Sequence, residues 1–277
     1  MRVLFATLAL LVTASGPARA HDMWVEPESY TVAAGRPAAI ALRVGHADDE
    51  DAWRAPWERV HSFRSYGPKG VQDRQTALVV PAPEGTANAT FAFETAGTHI
   101  VALESYHSTS TLDAVKFNDY VKTEGLDNVT ALRTQAGKME TPGTELYSRR
   151  AKALVQVGGR ATDNILQPIG QTLEIVPMRN PYASGTGTAL PVRVLFQGRP
   201  IAGVQIRLLP LSNKVVEPVK LRTDADGRAT FDVPRRGRWL IMAVHARSMT
   251  GNDKGDFDTI FASLTCGYGP REDTAAR

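Results

Sequence analysis

The residues of this chain best suited to hold a ligand are its histidines: His21, His46, His61, His99, His107 and His245. His21 is distinguished by its position. Residues 1–20 read as an export signal, with Arg2 as a minimal basic start, an apolar run from Val3 to Val12, and Pro17-Ala18-Arg19-Ala20 closing on an A-x-A cleavage pattern. The apolar run is too short for a permanent membrane-spanning helix. A cut after Ala20 opens the mature chain at His21-Asp22-Met23-Trp24-Val25-Glu26-Pro27. A terminal histidine carries a free α-amine, whose pKa of about 8 makes its deprotonation cheap at neutral pH. With the ring Nδ1 that amine chelates one metal ion. One or two further imidazoles complete a nitrogen-rich site for Cu(II), Ni(II) or Zn(II). If the cut falls elsewhere, His21 is an ordinary side chain.

His245, His46 and His107 are the candidate partners. His245 ends an apolar run, Trp239-Leu240-Ile241-Met242-Ala243-Val244, where a loop-facing ring would meet the amino terminus. The plainer reading is a histidine satisfied in the core. His46 precedes the acidic run Asp48-Asp49-Glu50-Asp51, which either attracts cations or is only a solvated loop. His99 and His107 flank one strand and lie about 26 Å apart if it is extended at about 3.3 Å per residue, so they share no ion. His107 is the better of the two. Glu26 would orient His21 from behind. Asp256 and Asp258 are either oxygen ligands or loop solvation.

Composition narrows the classes. The only cysteine, Cys266, excludes intrachain disulfides, cysteine-ligated clusters and CxxC redox motifs, and reads as a buried strand residue. Without Arg2 and Arg19 the formal net charge falls from +3 to +1, and no basic cluster is interleaved with aromatics, which argues against nucleic acid. No serine elbow, HExxH, phosphate loop or dinucleotide glycine motif is present, so the enzyme question stays open with a lean toward none. In Asp224-Ala225-Asp226-Gly227 the spacing suggests calcium, but Arg235 stands where the closing glutamate would be.

The elements that must carry these residues are short and alternating. Period-two runs at 30–32, 39–44, 77–80, 89–93, 99–103 and 153–157, separated by Gly/Pro turns, predict one β-sandwich over 21–160. Leu112, Val115, Tyr120, Val121, Leu126, Val129 and Leu132 recur at three- and four-residue spacing, with Gly125 between, and predict two short helices inserted over 111–139. A Gly/Pro-rich tract, 161–188, reads as a linker. The strand pattern resumes from 189, through 190–196, 204–208 and 230–233, with 239–245 as a buried strand, and predicts a second sandwich over 189–277. The expected fold is thus all-β: two immunoglobulin/transthyretin-like antiparallel sandwiches with a short helical insertion in the first.

The opening His21-Asp22-Met23-Trp24-Val25-Glu26-Pro27 resembles that of domain-of-unknown-function family 4198, periplasmic proteins labelled a nickel-uptake-transporter family. Lys116-Phe117-Asn118-Asp119-Tyr120 with Glu124-Gly125-Leu126, Glu145 through Val155, Thr223 through Arg228, and Ala262-Ser263-Leu264-Thr265 agree as well. The stretch from Gly198 to Gly227 also resembles transthyretin-like or carboxypeptidase-regulatory domains. The resemblance implies a periplasmic protein linked to nickel or cobalt uptake, with His21, Glu26 and His245 on motif positions, and a membrane uptake system as a partner. The expectation is a periplasmic protein that binds Ni, Co or Cu through His21, His245, His46 and His107. The alternative is a metal-free sandwich that presents its loops to a protein or glycan. A third reading uses the same site, with copper, for oxidation.

Overall fold

The structure is a computed structural model and describes residues 22–46, 49–185, 187–211, 216–249, 251 and 254–268. His21, residues 1–20 with the sequence pattern of an export signal, and residues 269–277 lie outside the described residues, as do the side chains of His46 and Asp49.

In the amino-terminal part the strands are β1 (Asp22–Pro27), β2 (Thr31–Val32), β3 (Pro37–His46), β4 (Asp49–Ala52), β5 (Val60–Gly67), β6 (Gly70–Asp73), β7 (Ala89–Ala92), β8 (Gly97–Ser105) and β9 (Ser108–Leu112). Helices α1 (Ala114–Thr123) and α2 (Asp127–Gln135) follow, then the long β10 (Gly143–Val157). The remainder is β11 (Leu173–Pro177), β12 (Ala189–Phe196), β13 (Arg199–Pro200), β14 (Gln205–Pro210), β15 (Val219–Arg222), β16 (Arg228–Asp232), β17 (Gly237–Ser248) and β18 (Phe257–Tyr268). The chain is all-β with a short helical insertion, as the alternation predicts.

One sheet unites both parts, in the order β15-β14-β17-β18-β10-β8-β5-β6. Its centre is the parallel pair β10 and β18, in register from Glu145↔Phe257 to Ala153↔Thr265. Parallel neighbours need a long crossover, and here it is the whole of β11 to β17. A sheet of β1, β3, β4 and β7 packs over Val101, Leu103, Ala151, Ala153 and Val155. A third sheet, β11, β12, β13 and β16, covers the opposite face at Ile100, Leu154, Ile241, Ala243, Ile260 and Leu264. The helices lie on the same face as the first cover and bury Phe117, Tyr120, Val121 and Val129 against Val244, Ala246, Phe257 and Phe261.

Two expectations change. Residues 77–80 make one isolated bridge, Leu78↔Ala89, rather than a strand. Pro81 and Pro83 cannot donate to a ladder, and Asn88 takes over the pairing: its backbone carbonyl accepts from Val79 N at 2.7 Å and its Nδ2 donates to Val79 O at 3.0 Å. The tract 161–188 contains β11, buried at every residue and paired with β12 from Leu173↔Phe196 to Pro177↔Val192. Within it, the Glu174 carboxylate collects Lys152 Nζ at 2.8 Å and the preceding amides of Ile169, Gly170 and Gln171.

Candidate functional site

β1 is buried along its whole length although it carries Asp22 and Glu26. Side chains alternate across a strand. Met23 and Val25 enter the core under β3, β8 and β10, while Asp22, Trp24 and Glu26 turn to the other half of the molecule. Trp24 packs on Leu209, Leu211, Leu240 and Met242. Arg238 holds Glu26, which also accepts from Arg43 Nε at 3.3 Å. Arg207 Nη2 donates to Asp22 Oδ1 at 3.0 Å and to Glu124 Oε2 at 2.8 Å.

Local structure delivers Glu124 to that point. Asp113 caps α1 by accepting from Lys116 N at 2.9 Å. The helix stops at Glu124 because Gly125 takes φ +68°, and Leu126 N then bonds Val121 O at 2.9 Å. A Cβ on Gly125 would stand 2.7 Å from Gln205 Cβ, so the corner sits directly on β14. Burial pushes the Glu124 carboxyl up to about 7; Arg207 pulls it down and Asp22 pushes it further up. Beside it Tyr120 donates to Glu145 Oε2 at 3.0 Å, and burial raises both groups. Arg149 completes the nest, its guanidinium 5.4 Å from the ring centres of Tyr147 and Phe261. Asp22, the first described residue, is therefore clamped in a nest of three carboxyls and two guanidiniums.

The four expected metal ligands divide. The last β1–β3 pair is Asp22↔Gly45, and His46 is the residue after Gly45 as His21 is the residue before Asp22. His245 is elsewhere. Paired residues share a face, and Arg207 pairs with Met242, so His245, three residues on, projects from the opposite face. There its ring packs 4.6 Å from that of Phe196, and β17 continues past it to Ser248. Burial lowers the pKa of His245, Arg247 adds to the effect and Asp258 opposes it.

His107 belongs to that second region. Its Nε2 is 3.1 Å from Asp258 Oδ1, while Arg247 Nε donates to Asp258 Oδ2 at 2.9 Å. Asp258 pairs with Arg247, and His245 is two residues along on the same face. His107 and His245 thus share a corner with Asp258, apart from the nest at Asp22. Asp256 is committed to Lys138 and the Thr144 amide. Among the described residues no group of three or more His, Cys, Asp or Glu side chains is placed to hold a metal ion. Cys266 is buried as expected, and burial pushes its thiol up to about 12.

Sequence reasoning took neither Arg207 nor Glu124 as a site residue. The signal available was that Asp22 and Glu124-Gly125 both fall in stretches shared with the family.

No curated protein matches the chain. Among solved structures it is similar to a Salmonella alpha-2-macroglobulin mutant, at 13% identity and TM-score 0.24, over 94% of this chain and 16% of that one. It is also similar to the D0–D1 domain of intimin, at 12% identity and TM-score 0.21, over 89% of this chain and 97% of that one. Trypsin-activated alpha-2-macroglobulin from Escherichia coli is matched at 12% identity and TM-score 0.22, over 92% of this chain and 16% of that one. The chain thus spans only 16% of the length of either macroglobulin. A family model described as a domain of unknown function (DUF4198) matches residues 18–247, and the chain belongs to that family.

Proposed function

We propose that this protein is exported and binds a divalent transition ion, Ni, Co or Cu, through the amine and ring of His21 with His46 as the adjacent ligand. The observation that carries the reading is the β1–β3 register. The pairing runs to Asp22↔Gly45, and in the sequence a histidine comes next on either side, His21 before Asp22 and His46 after Gly45, so that one further step of the same antiparallel pairing would set the two opposite each other. The buried Asp22–Arg207–Glu124 linkage supports it by fixing the start of β1, the residue that follows His21 in the sequence. A chelate pre-organised in this way loses less freedom on binding.

The role of His21 is to supply two nitrogens, and that of His46 a third. The acidic residues after His46 add a field favourable to cations. His107 and His245 leave the ligand set, because both belong to the Asp258 corner. Delivery of the ion to a membrane uptake system in the periplasm completes the proposal.

The test is calorimetric titration of correctly processed protein with Ni(II), Cu(II) and Zn(II). Binding tighter than micromolar is expected. One residue added before His21 abolishes it, His46→Ala weakens it about tenfold or more, and His245→Ala leaves it unchanged. Weak binding that is indifferent to the added residue would leave the metal-free binding module as the better reading.

A further inference from the structure

Beside the Asp258 corner, two neighbouring strands of the central sheet lose their regularity at the same level. β8 stops at Ser105 and β9 starts at Ser108, so Tyr106 and His107 fall in a break between them. On the adjacent β5 the pairing runs Val60↔Ser105 and then Ser62↔Glu104, which leaves His61 as the extra residue of a β-bulge. Bulges re-aim side chains and are frequent beside functional sites. The single helical turn Trp57–Arg59 leads into β5 and is tied to the break. Tyr106 N donates to Arg59 O at 2.9 Å, and Arg59 Nη1 donates to His107 O at 3.0 Å.

Among the described residues, only two of the large hydrophobic side chains that reach solvent are aromatic, Trp57 at 43% exposure and Tyr106 at 53%, and both belong here. Exposed apolar residues scattered singly need no explanation, but two aromatics gathered at one break in the sheet do. The Tyr106 ring meets the exposed His61 ring edge to face, with centres 4.9 Å apart, so it is braced from one side. The charges of this corner are mixed in equal numbers, Arg59, Arg150 and Arg247 with Glu58, Glu104 and Asp258, while Arg64 lies farther along β5 opposite Ala102. A charged ligand would meet a like charge wherever it found an opposite one. A neutral ligand rich in hydroxyls suits the mixture, because each hydroxyl both donates and accepts.

We propose that this corner binds a neutral oligosaccharide. One pyranose ring lays its C–H face on Tyr106, a neighbouring ring lies toward Trp57, and their hydroxyls exchange hydrogen bonds with Arg59 and the half-exposed His107 ring. Aromatic side chains with a polar handle suit such a contact, since they bury apolar area at one end and stay wet at the other. The site is independent of any metal held by His21 and His46.

Maltotetraose, cellotetraose and chitotetraose are the probes, with glycerol and tetraglutamate as controls, titrated into the isotope-labelled full chain and followed by NMR. At least one of the three sugars should shift resonances of 57–61 and 104–107 and saturate in the millimolar range or below, while both controls leave them unmoved. Tyr106→Ala and Trp57→Ala, both at exposed positions, should each weaken that binding about fivefold. Tyr106→Phe keeps the ring and should retain most of it. No shift from any of the three sugars, shifts confined to other parts of the chain, or indifference to both alanine variants would overturn the proposal. So would an equal response to tetraglutamate, which would mark the corner as a surface for an acidic protein segment.

Discussion

The nest at Asp22 and the corner at Asp258 have similar residues but differ in how their charges are balanced. At the corner, Asp258 receives its own guanidinium from Arg247, and both Arg247 and His107 reach water. In the nest, two carboxyls divide one guanidinium nitrogen, Arg207 Nη2, and Asp22, Glu124 and Arg207 are all buried. Solvent can replace a lost partner at the corner. It cannot in the nest, where the linkage ties together a strand, a helix end and the opposite half of the central sheet. The lesson is that the same ion-pair chemistry fixes architecture in one place and only orients side chains in the other.

Breaking the nest should have the largest effect. Arg207→Ala removes the guanidinium that Asp22 and Glu124 share inside the fold and should cost about 3–5 kcal/mol in urea denaturation. The corresponding change at the corner, Asp258→Asn, keeps the shape and loses partly solvated pairs, so it should cost about 1 kcal/mol. His107→Ala should be smaller still, within about 0.5 kcal/mol, because its ring is half exposed.

The contrast also predicts a pH signature. Burial raises Glu124 from an ordinary 4.5 to about 7 in the folded chain. Between those values the folded state holds a proton that the unfolded state has released, so stability falls as pH rises through the window and levels off above it. Glu124→Gln should flatten that part of the profile, read as melting temperature from pH 4.5 to 8, and it should leave the contribution of the Asp258 corner untouched. A wild-type profile that rises across this window relative to Glu124→Gln would contradict the shared-guanidinium account.

Much of the fold was legible because its signals are local. Gly125 and the Pro142-Gly143 stop bracket the helices, alternation marks β3, β7, β8, β12, β14 and β16, and a continuous apolar run marks β17. The fusion into one sheet was not legible, since β10 and β18 meet as parallel neighbours across everything between them. β18 itself has no alternation to read, because cores cover both of its faces. The site was legible by parts. His107 and Asp258 were each candidates, yet 151 positions separate them and nothing local couples them. Arg207 and Asp22 are 185 positions apart, and an arginine in an alternating strand reads as solvent-facing until β1 covers it. His245 misled for a related reason. It looked like a strand end, but the strand continues and turns its ring toward Phe196.

The central claim is that the amino terminus and His46 bind metal together, while the second histidine pair does not. Electron paramagnetic resonance of the processed protein loaded with one equivalent of Cu(II) tests it most directly. The account predicts a nitrogen-rich spectrum that loses nitrogen couplings when one residue precedes His21 and again in His46→Ala, and that is unaltered in His107→Ala/His245→Ala. A spectrum unchanged by the added residue, or one that collapses only when His107 and His245 are removed, would contradict it.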